Sequence, residues 1–137
     1  MMQDLASTTP VIIADDEPLM REVLASALRS LGYRSIAYAA DGRQAAQLLE
    51  QAEYRRAIVF LDIHMPGMNG LAVLEHARHI GSGAFIVIVS ADSALERVLA
   101  ALAGGAKGFV IKPYTTQKIL DMINKFEKEQ VEGAAAA

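Results

Sequence analysis

Short apolar runs alternate along the chain with longer segments of helical periodicity. Four runs are almost continuously apolar, as expected for strands that are buried on both faces of a sheet. These runs are residues 11–14, 57–61, 84–89 and 108–111. A fifth candidate, residues 33–38, is more polar, which predicts a strand nearer an edge of the sheet.

Five segments that follow these runs predict helices, because apolar residues recur in them every three or four positions. Polar residues that favour helix starts and glycines that favour helix ends bound these segments. The predicted N-caps are Asp41, Asn69, Asp92 or Ser93, and Thr115 or Thr116, and the predicted ends are Gly32 and Gly104-Gly105. The regular strand–helix order predicts a parallel sheet with helices on both faces and right-handed crossovers.

Composition limits the possible functions of this fold. The chain has 137 residues, of which 53% are hydrophobic and 21% charged, which favours one packed domain over disorder. A net charge of −3 gives no positive surface for direct binding to nucleic acid or to an anionic membrane. Cysteine is absent, which excludes disulfides and thiolate metal sites. We therefore expect a cytoplasmic protein with a folded domain over residues 10–130 and flexible segments at 1–9 and 131–137.

Polar side chains stand where four of the predicted strands end. They are Asp15-Asp16-Glu17 after the first strand, Asp62 at the end of the third, Ser90 at the end of the fourth and Lys112 after the fifth. Parallel sheets of this kind bind ligands at the carboxyl ends of their strands. The sequence therefore predicts a polar site at one edge of the sheet.

The residue types at this edge point to phosphoryl transfer. Three carboxylates in one place repel one another unless a proton or a cation offsets their charge. Oxygen ligands favour a hard ion such as Mg²⁺, while a lysine and a serine hydroxyl suit phosphate oxygens. Because an aspartate can itself act as a nucleophile, the set predicts a Mg²⁺-dependent phosphoacceptor carboxylate.

Four motifs in this order resemble the receiver domains of two-component response regulators, the CheY-like family. They are Asp15-Asp16 after VIIA, Asp62 in FLDIHMPGMNG, Ser90-Ala91 after FIVIV, and GGAKGFVIKPY. The resemblance covers roughly residues 10 to 128. It implies a doubly wound (βα)5 fold of flavodoxin type, with the strand order 2-1-3-4-5.

The resemblance also implies the central roles in the site. Asp62 would accept a phosphoryl group from a histidine kinase or a histidine phosphotransfer protein. Asp15, Asp16 and Asp62 would hold Mg²⁺ together with the backbone carbonyl of His64. The side chain of His64 either lies near the path of attacking water or points into solvent without a role.

The same resemblance implies that a second group of residues takes part in activation. Ser90 and Lys112 would contact the phosphoryl oxygens, and Phe109 would reorient with Ser90, although a purely structural role in the core stays open for Phe109. A cis peptide bond is implied before Pro113. The fourth predicted helix, the fifth strand and the fifth predicted helix would form the surface for an output partner or a homodimer, with Arg97 at its border.

Two alternative functions differ in class from a signalling switch. A phosphohydrolase would use a similar aspartate, but such enzymes typically carry an acid two residues later, where this chain has His64. A pseudo-receiver would bind a partner without phosphorylation, and the presence of Asp62 and Lys112 disfavours it. We therefore expect no conventional enzyme, only transfer of phosphate to Asp62 and its later hydrolysis.

Overall fold

The computed structural model describes residues 2–91 and 94–136 of the chain. Within these residues, five parallel strands form one sheet in the order β2-β1-β3-β4-β5. The strands are β1 (Val11–Ala14), β2 (Ile36–Ala39), β3 (Ile58–Asp62), β4 (Phe85–Ser90) and β5 (Gly108–Ile111). The predicted fold class and strand order are confirmed, and the most polar strand, β2, is an edge strand.

Helices cover both faces of this sheet. They are α1 (Met2–Thr8), α2 (Pro18–Ser30), α3 (Gly42–Glu50), α4 (Gly70–His79), α5 (Leu95–Ala103) and α6 (Thr116–Ala136), with a 3-10 turn at Ala52–Tyr54. None of the helices in the described part of the chain has the length and apolarity needed to cross a bilayer.

Several predicted helix boundaries have the expected hydrogen bonds. Asp41 Oδ1 accepts from the backbone N–H of Gln44 at 2.8 Å, and Asn69 Oδ1 accepts from that of Ala72 at 2.9 Å. Thr115 Oγ1 accepts from a backbone N–H in the first turn of α6 at 3.1 Å. The predicted caps Asp92 and Ser93 lie outside the described residues.

The second strand differs from its predicted position. It begins at Ile36, whereas the sequence pattern predicted a strand from Tyr33. Tyr33 is fully buried and donates its hydroxyl hydrogen to Glu127 Oε2 at 2.9 Å. Tyr33 lies in the core layer beneath α2 and α6, so its burial comes from core packing and not from strand pairing.

Both ends of the chain contain helix where the sequence predicted flexible segments. Helix α1 packs Leu5 and Ala6 against the core, and α6 continues to Ala136. A helix as short as α1 is marginal alone, so its contacts with the core account for its formation. The mobility of the two ends and the domain boundaries stay predictions.

The sheet separates two apolar layers, and its three central strands, β1, β3 and β4, are buried on both faces. Ile12 and Ala14 face the layer beneath α3, α4 and α5, whereas Val11 and Ile13 face the layer beneath α2 and α6. The parallel pairing places Ala14 beside Leu61 and Leu61 beside Ile88, so the ends of β1, β3 and β4 lie side by side. This pairing therefore fixes which residues reach the carboxyl edge of the sheet.

Candidate functional site

The polar residues predicted for the carboxyl edge of the sheet lie there, and three of the six, Asp15, Asp62 and Ser90, are buried. Asp15 follows β1, Asp62 and Ser90 end β3 and β4, and Lys112 follows β5. Asp15 is 1% exposed and Asp62 is 4% exposed, although both are ionisable. Burying carboxylates is unfavourable unless partners offset their charge, which makes their neighbours informative.

Lys112 joins the carboxylates into one cluster. Its Nζ atom lies 2.8 Å from Asp15 Oδ2, 2.9 Å from Asp62 Oδ2 and 3.6 Å from Glu17 Oε1. The Lys112 side chain is only 12% exposed, so little water screens these ion pairs. The structure thus brings the predicted lysine directly to the predicted phosphoacceptor.

Backbone hydrogen bonds orient the two buried carboxylates. Asp62 Oδ1 accepts from the N–H of His64 at 3.0 Å, and Asp15 Oδ1 accepts from the N–H of Glu17 at 2.9 Å. In each case the second oxygen, Oδ2, is directed to Lys112. One oxygen of each carboxylate is therefore held by the following loop, and the other meets the lysine.

Close packing behind the acceptor explains Gly70, the first residue of α4. A Cβ atom at this position would lie 2.4 Å from the carbonyl oxygen of Asp62 and 2.8 Å from Cα of Ile63. Any larger residue would therefore displace the end of β3 that carries the acceptor. This contact therefore requires Gly70, the last glycine of the FLDIHMPGMNG motif.

The electrostatics of the cluster shift several pKa values. Burial raises the pKa of Asp62, against the opposing effects of Lys112 and the His64 N–H. Although burial disfavours the charged amine, Asp15 and Asp62 raise the pKa of Lys112 above its usual value. Burial and the nearby carboxylates also raise the pKa of Tyr114. The lysine is therefore firmly cationic at neutral pH.

The acidic residues offer a suitable environment for a divalent cation. Asp15, Asp16 and Asp62 each contribute a carboxylate oxygen, and these oxygens lie within 4.8 Å of one another. Asp15 Oδ2 is buried and accepts no hydrogen bond among the described residues, although it is ion-paired with Lys112 Nζ at 2.8 Å. Because all these ligands are hard oxygens, the residues fit Mg²⁺.

Ser90 lies on β4, the strand next to β3, and Phe109 lies on β5, on the far side of β4. Ser90 is fully buried, and its backbone carbonyl accepts from the N–H of Lys112 at 2.8 Å. Phe109 pairs with Ile88 across the sheet and packs, partly buried, on the layer beneath α3, α4 and α5. Their roles in switching stay predictions, as do the roles of the other site residues.

Three contacts near the site were not predicted from the sequence. Arg21 Nη1 donates to the backbone carbonyl of Asp15 at 2.6 Å, and Arg97 Nη1 lies 3.0 Å from His64 Nε2. Tyr114 lies close enough to the carboxylates for their charge to affect its pKa. Only Tyr114 had a local signal, since it directly follows Lys112-Pro113, whose peptide bond is cis as expected.

Comparison with known proteins gives consistent matches. The family model for the response regulator receiver domain matches residues 11–124 of this chain. The chemotaxis protein CheY of Thermotoga maritima is 33% identical over 118 residues, which are 86% of this chain and 97% of that protein. CheY of Bacillus subtilis is 33% identical over 115 residues, which are 84% of this chain and 94% of that protein.

Solved structures agree with the sequence matches. The CheX–CheY–BeF3–Mg²⁺ complex of Borrelia burgdorferi contains a chain 32% identical to this one, with a TM-score of 0.78 and coverage of 84% of this chain and 86% of that chain. The response regulator TrrA of Thermotoga maritima, solved with Mg²⁺ and BeF, is 30% identical, with a TM-score of 0.75 and coverage of 86% and 98%.

Proposed function

Because the chain belongs to the response regulator receiver domain family, we propose that it is a Mg²⁺-dependent phosphoacceptor of two-component signalling in the cytoplasm. Proteins of this family are signalling phosphoacceptors and not conventional enzymes. Asp62 receives the phosphoryl group from a histidine kinase or a phosphotransfer protein. The observation that carries the proposal is the position of Lys112 Nζ, 2.9 Å from Asp62 Oδ2 within the acidic cluster.

The transfer needs a nucleophile that is held in place. An oxygen of the Asp62 carboxylate attacks phosphorus, the bond from phosphorus to the donor nitrogen breaks, and the histidine leaves with the electron pair. The N–H of His64 holds the other oxygen of Asp62. Lys112 stays protonated and offsets negative charge on the phosphoryl oxygens.

Mg²⁺ would be held by the carboxylates of Asp15, Asp16 and Asp62 and by the backbone carbonyl of His64. When bound, the ion neutralises negative charge on the carboxylates and the phosphoryl group. Asp16 is the exposed member of the three, so it offers the side from which an ion enters.

Lys112 also connects the acceptor to a distant surface. A phosphoryl group on Asp62 competes with Asp15 for the lysine ammonium, and Lys112 is hydrogen-bonded through its backbone to Ser90. We define the α5–β5 surface as Leu99, Leu102 and Ile111, which are 56%, 48% and 37% exposed. This surface, bordered by α6, binds the output partner or a second copy of the chain.

A second apolar surface suits the phosphodonor. We define the α2 surface as Leu19 and Val23, which are 73% and 45% exposed. Leu19 lies two residues after Glu17, whose carboxylate is 3.6 Å from Lys112 Nζ. A donor that docks on the α2 surface would therefore lie next to the acceptor.

The test is Mg²⁺-dependent phosphorylation at a single residue. Incubation with acetyl phosphate and Mg²⁺ should add one phosphoryl group, detected by intact-protein mass spectrometry. Asp62→Asn and excess EDTA should each abolish it, whereas Asp121→Asn, which changes an exposed aspartate on α6, should not. Equal labelling of Asp62→Asn would overturn the assignment. Failure of the wild type with acetyl phosphate and with a phosphohistidine donor would favour the pseudo-receiver alternative.

A further inference from the structure

A surface pocket opens directly beside the acceptor, between α5 and the segment that joins β3 to α4. Its volume is about 370 Å³. The lining combines apolar Ile63, Met65 and Leu71 with polar His64, Asn69 and Arg97. Because Ile63 and His64 follow Asp62 in the chain, a group bound in this pocket would adjoin the phosphoacceptor.

Arg97 is connected to the acceptor through His64. Its Nη1 atom lies 3.0 Å from Nε2 of the His64 ring. The backbone N–H of the same histidine donates to Asp62 Oδ1 at 3.0 Å. The guanidinium group, contributed by α5, is thus held at the edge of the site by the residue that also orients the nucleophile.

The charge of the site creates a need for an additional cation. Several carboxylates lie around a single ammonium group. The carboxylates belong to Asp15, Asp16, Glu17 and Asp62, and the ammonium group belongs to Lys112. With a divalent cation bound and the guanidinium of Arg21 beside Asp15 counted, the charges of the cluster only balance, while the phosphodonor adds further negative charge. A guanidinium group beside the acceptor would reduce this repulsion, and its planar donors match phosphate oxygens.

We propose that Arg97 binds the phosphoryl group of the incoming donor, an acyl phosphate or a phosphohistidine. His64 acts as a positioning residue that holds the guanidinium beside Asp62. This inference rests on the proposed function, since it concerns the same transfer. With acetyl phosphate, the Asp62 carboxylate forms a bond to phosphorus, the bond from phosphorus to the acetyl oxygen breaks, and acetate leaves with the electron pair. The total charge is unchanged, and no proton is consumed.

The test measures the second-order rate constant for Asp62 phosphorylation by acetyl phosphate at saturating Mg²⁺. Arg97→Gln should lower it about threefold to tenfold, as expected for one charge a few ångströms from an anion in a partly aqueous site. It should also weaken the dependence of the rate on added salt, because one attractive charge is gone. Arg97→Lys should keep the salt dependence and most of the rate.

A matched control distinguishes this role from a general effect of net charge. Arg78→Gln removes the same charge from an exposed residue of α4 that pairs with Glu75, and should leave the rate unchanged. Equal rates for Arg97→Gln and Arg78→Gln would overturn the inference, as would a slower Arg97→Gln with unaltered salt dependence. Both results leave the proposed function intact, because the wild type is still labelled at Asp62.

The phosphohistidine arm uses a phosphorylated histidine phosphotransfer protein as the probe. If Arg97→Gln lowers the rate constant for Asp62 phosphorylation with both donors, Arg97 contacts the phosphoryl group that the donors share. A decrease with the protein donor alone would show that Arg97 contacts the donor protein, and would overturn the inference of phosphoryl binding.

Discussion

The α2 surface and the α5–β5 surface are connected to Asp62 in different ways. The α2 surface belongs to a helix that begins at Pro18, and Arg21 of this helix donates to the carbonyl of Asp15 at 2.6 Å. The α5–β5 surface is connected to Asp62 through the ends of β4 and β5, where the N–H of Lys112 donates to the carbonyl of Ser90 at 2.8 Å, and through Arg97 of α5, which lies 3.0 Å from His64 Nε2.

In the proposed function, this difference separates recognition of the phosphodonor from the response to phosphorylation of Asp62. The α2 surface is tied to the acidic cluster itself, so its position need not change when Asp62 is phosphorylated. The α5–β5 surface depends on the lysine that a phosphoryl group would attract, so it is the surface able to report phosphorylation. A ligand shifts a conformational equilibrium only through its different affinity for the two states, and Lys112 is the residue that would supply that difference.

The strongest way to break this separation is to remove Lys112. Lys112→Ala at saturating Mg²⁺ should keep the fold and abolish the chemical-shift changes that beryllofluoride causes at the α5–β5 surface. Shifts around Asp62 should remain. In EDTA the same variant leaves two buried carboxylates without their cation, so its unfolding free energy should fall by about 3 kcal/mol.

Lys107 provides the control for this experiment. Its ion pair with Glu129 is 3.3 Å long and largely exposed, so Lys107→Ala should change stability by less than about 1 kcal/mol. Unchanged beryllofluoride shifts in Lys112→Ala would show that the lysine does not connect the acceptor to the α5–β5 surface.

Paired replacements on the two surfaces test whether they serve different partners. Leu19→Ser with Val23→Ser should slow transfer from a phosphohistidine protein about tenfold, because two apolar contacts are lost. The rate with acetyl phosphate should stay the same. Leu99→Ser with Leu102→Ser should have no effect on either rate. If the second pair slows transfer instead, the assignment of the two surfaces is reversed.

The sequence predicted the strands well because the signal for them is local. Residues 11–14 and 108–111 are strands as predicted, and the other two apolar runs are displaced by one residue. Buried parallel strands need continuous apolarity, which neighbouring residues alone reveal. The carboxyl-edge residues followed from these strands, since the positions after each run were known once the run was recognised.

Contacts between distant segments could not be predicted in the same way. Tyr33 was predicted to begin a strand, but it packs in the layer beneath α2 and α6 and donates to Glu127, which is far along the chain. Helix α1 was missed because Leu5 and Ala6 form too short an apolar pattern without the core beneath them. The contact between Arg97 and His64 likewise arises only when α5 packs beside the β3–α4 connection.

Phe109 offers a smaller test of the link between the acceptor and the α5–β5 surface. Phe109→Leu keeps an apolar side chain of similar size, so stability should fall by about 1 kcal/mol. Phosphorylation by acetyl phosphate should proceed at the wild-type rate, while the beryllofluoride shifts at Leu99 and Leu102 should become smaller. If beryllofluoride causes chemical-shift changes as large as those of the wild type, Phe109 has only a structural role in the core.

The smallest effect on either surface is expected from Tyr33, which connects α2 to α6 on the face of the sheet opposite α5. Tyr33→Phe removes the hydrogen bond to Glu127, so the unfolding free energy should fall by about 1 kcal/mol at neutral pH. Transfer from both donors and the shifts at the α5–β5 surface should stay unchanged. Altered shifts would show that the two surfaces communicate through α6 and are not separate.

The pH dependence of stability identifies the Tyr33 contribution independently. Burial, together with the hydrogen bond to Glu127 and its charge, raises the pKa of Tyr33 above the usual value for tyrosine. The folded state therefore keeps the phenol protonated after the unfolded chain has begun to lose that proton, at about pH 10, the ordinary pKa of tyrosine. The stability from this raised pKa is complete below that pH and is lost as pH rises towards the folded pKa.

Denaturant unfolding in EDTA should show this alkaline loss in the wild type. Tyr33→Phe should show a smaller loss, and the remainder includes contributions from Lys112, Tyr114 and Tyr54, whose pKa values are also raised. Equal alkaline slopes would mean that the Tyr33 hydroxyl is not held in its protonated form by the fold.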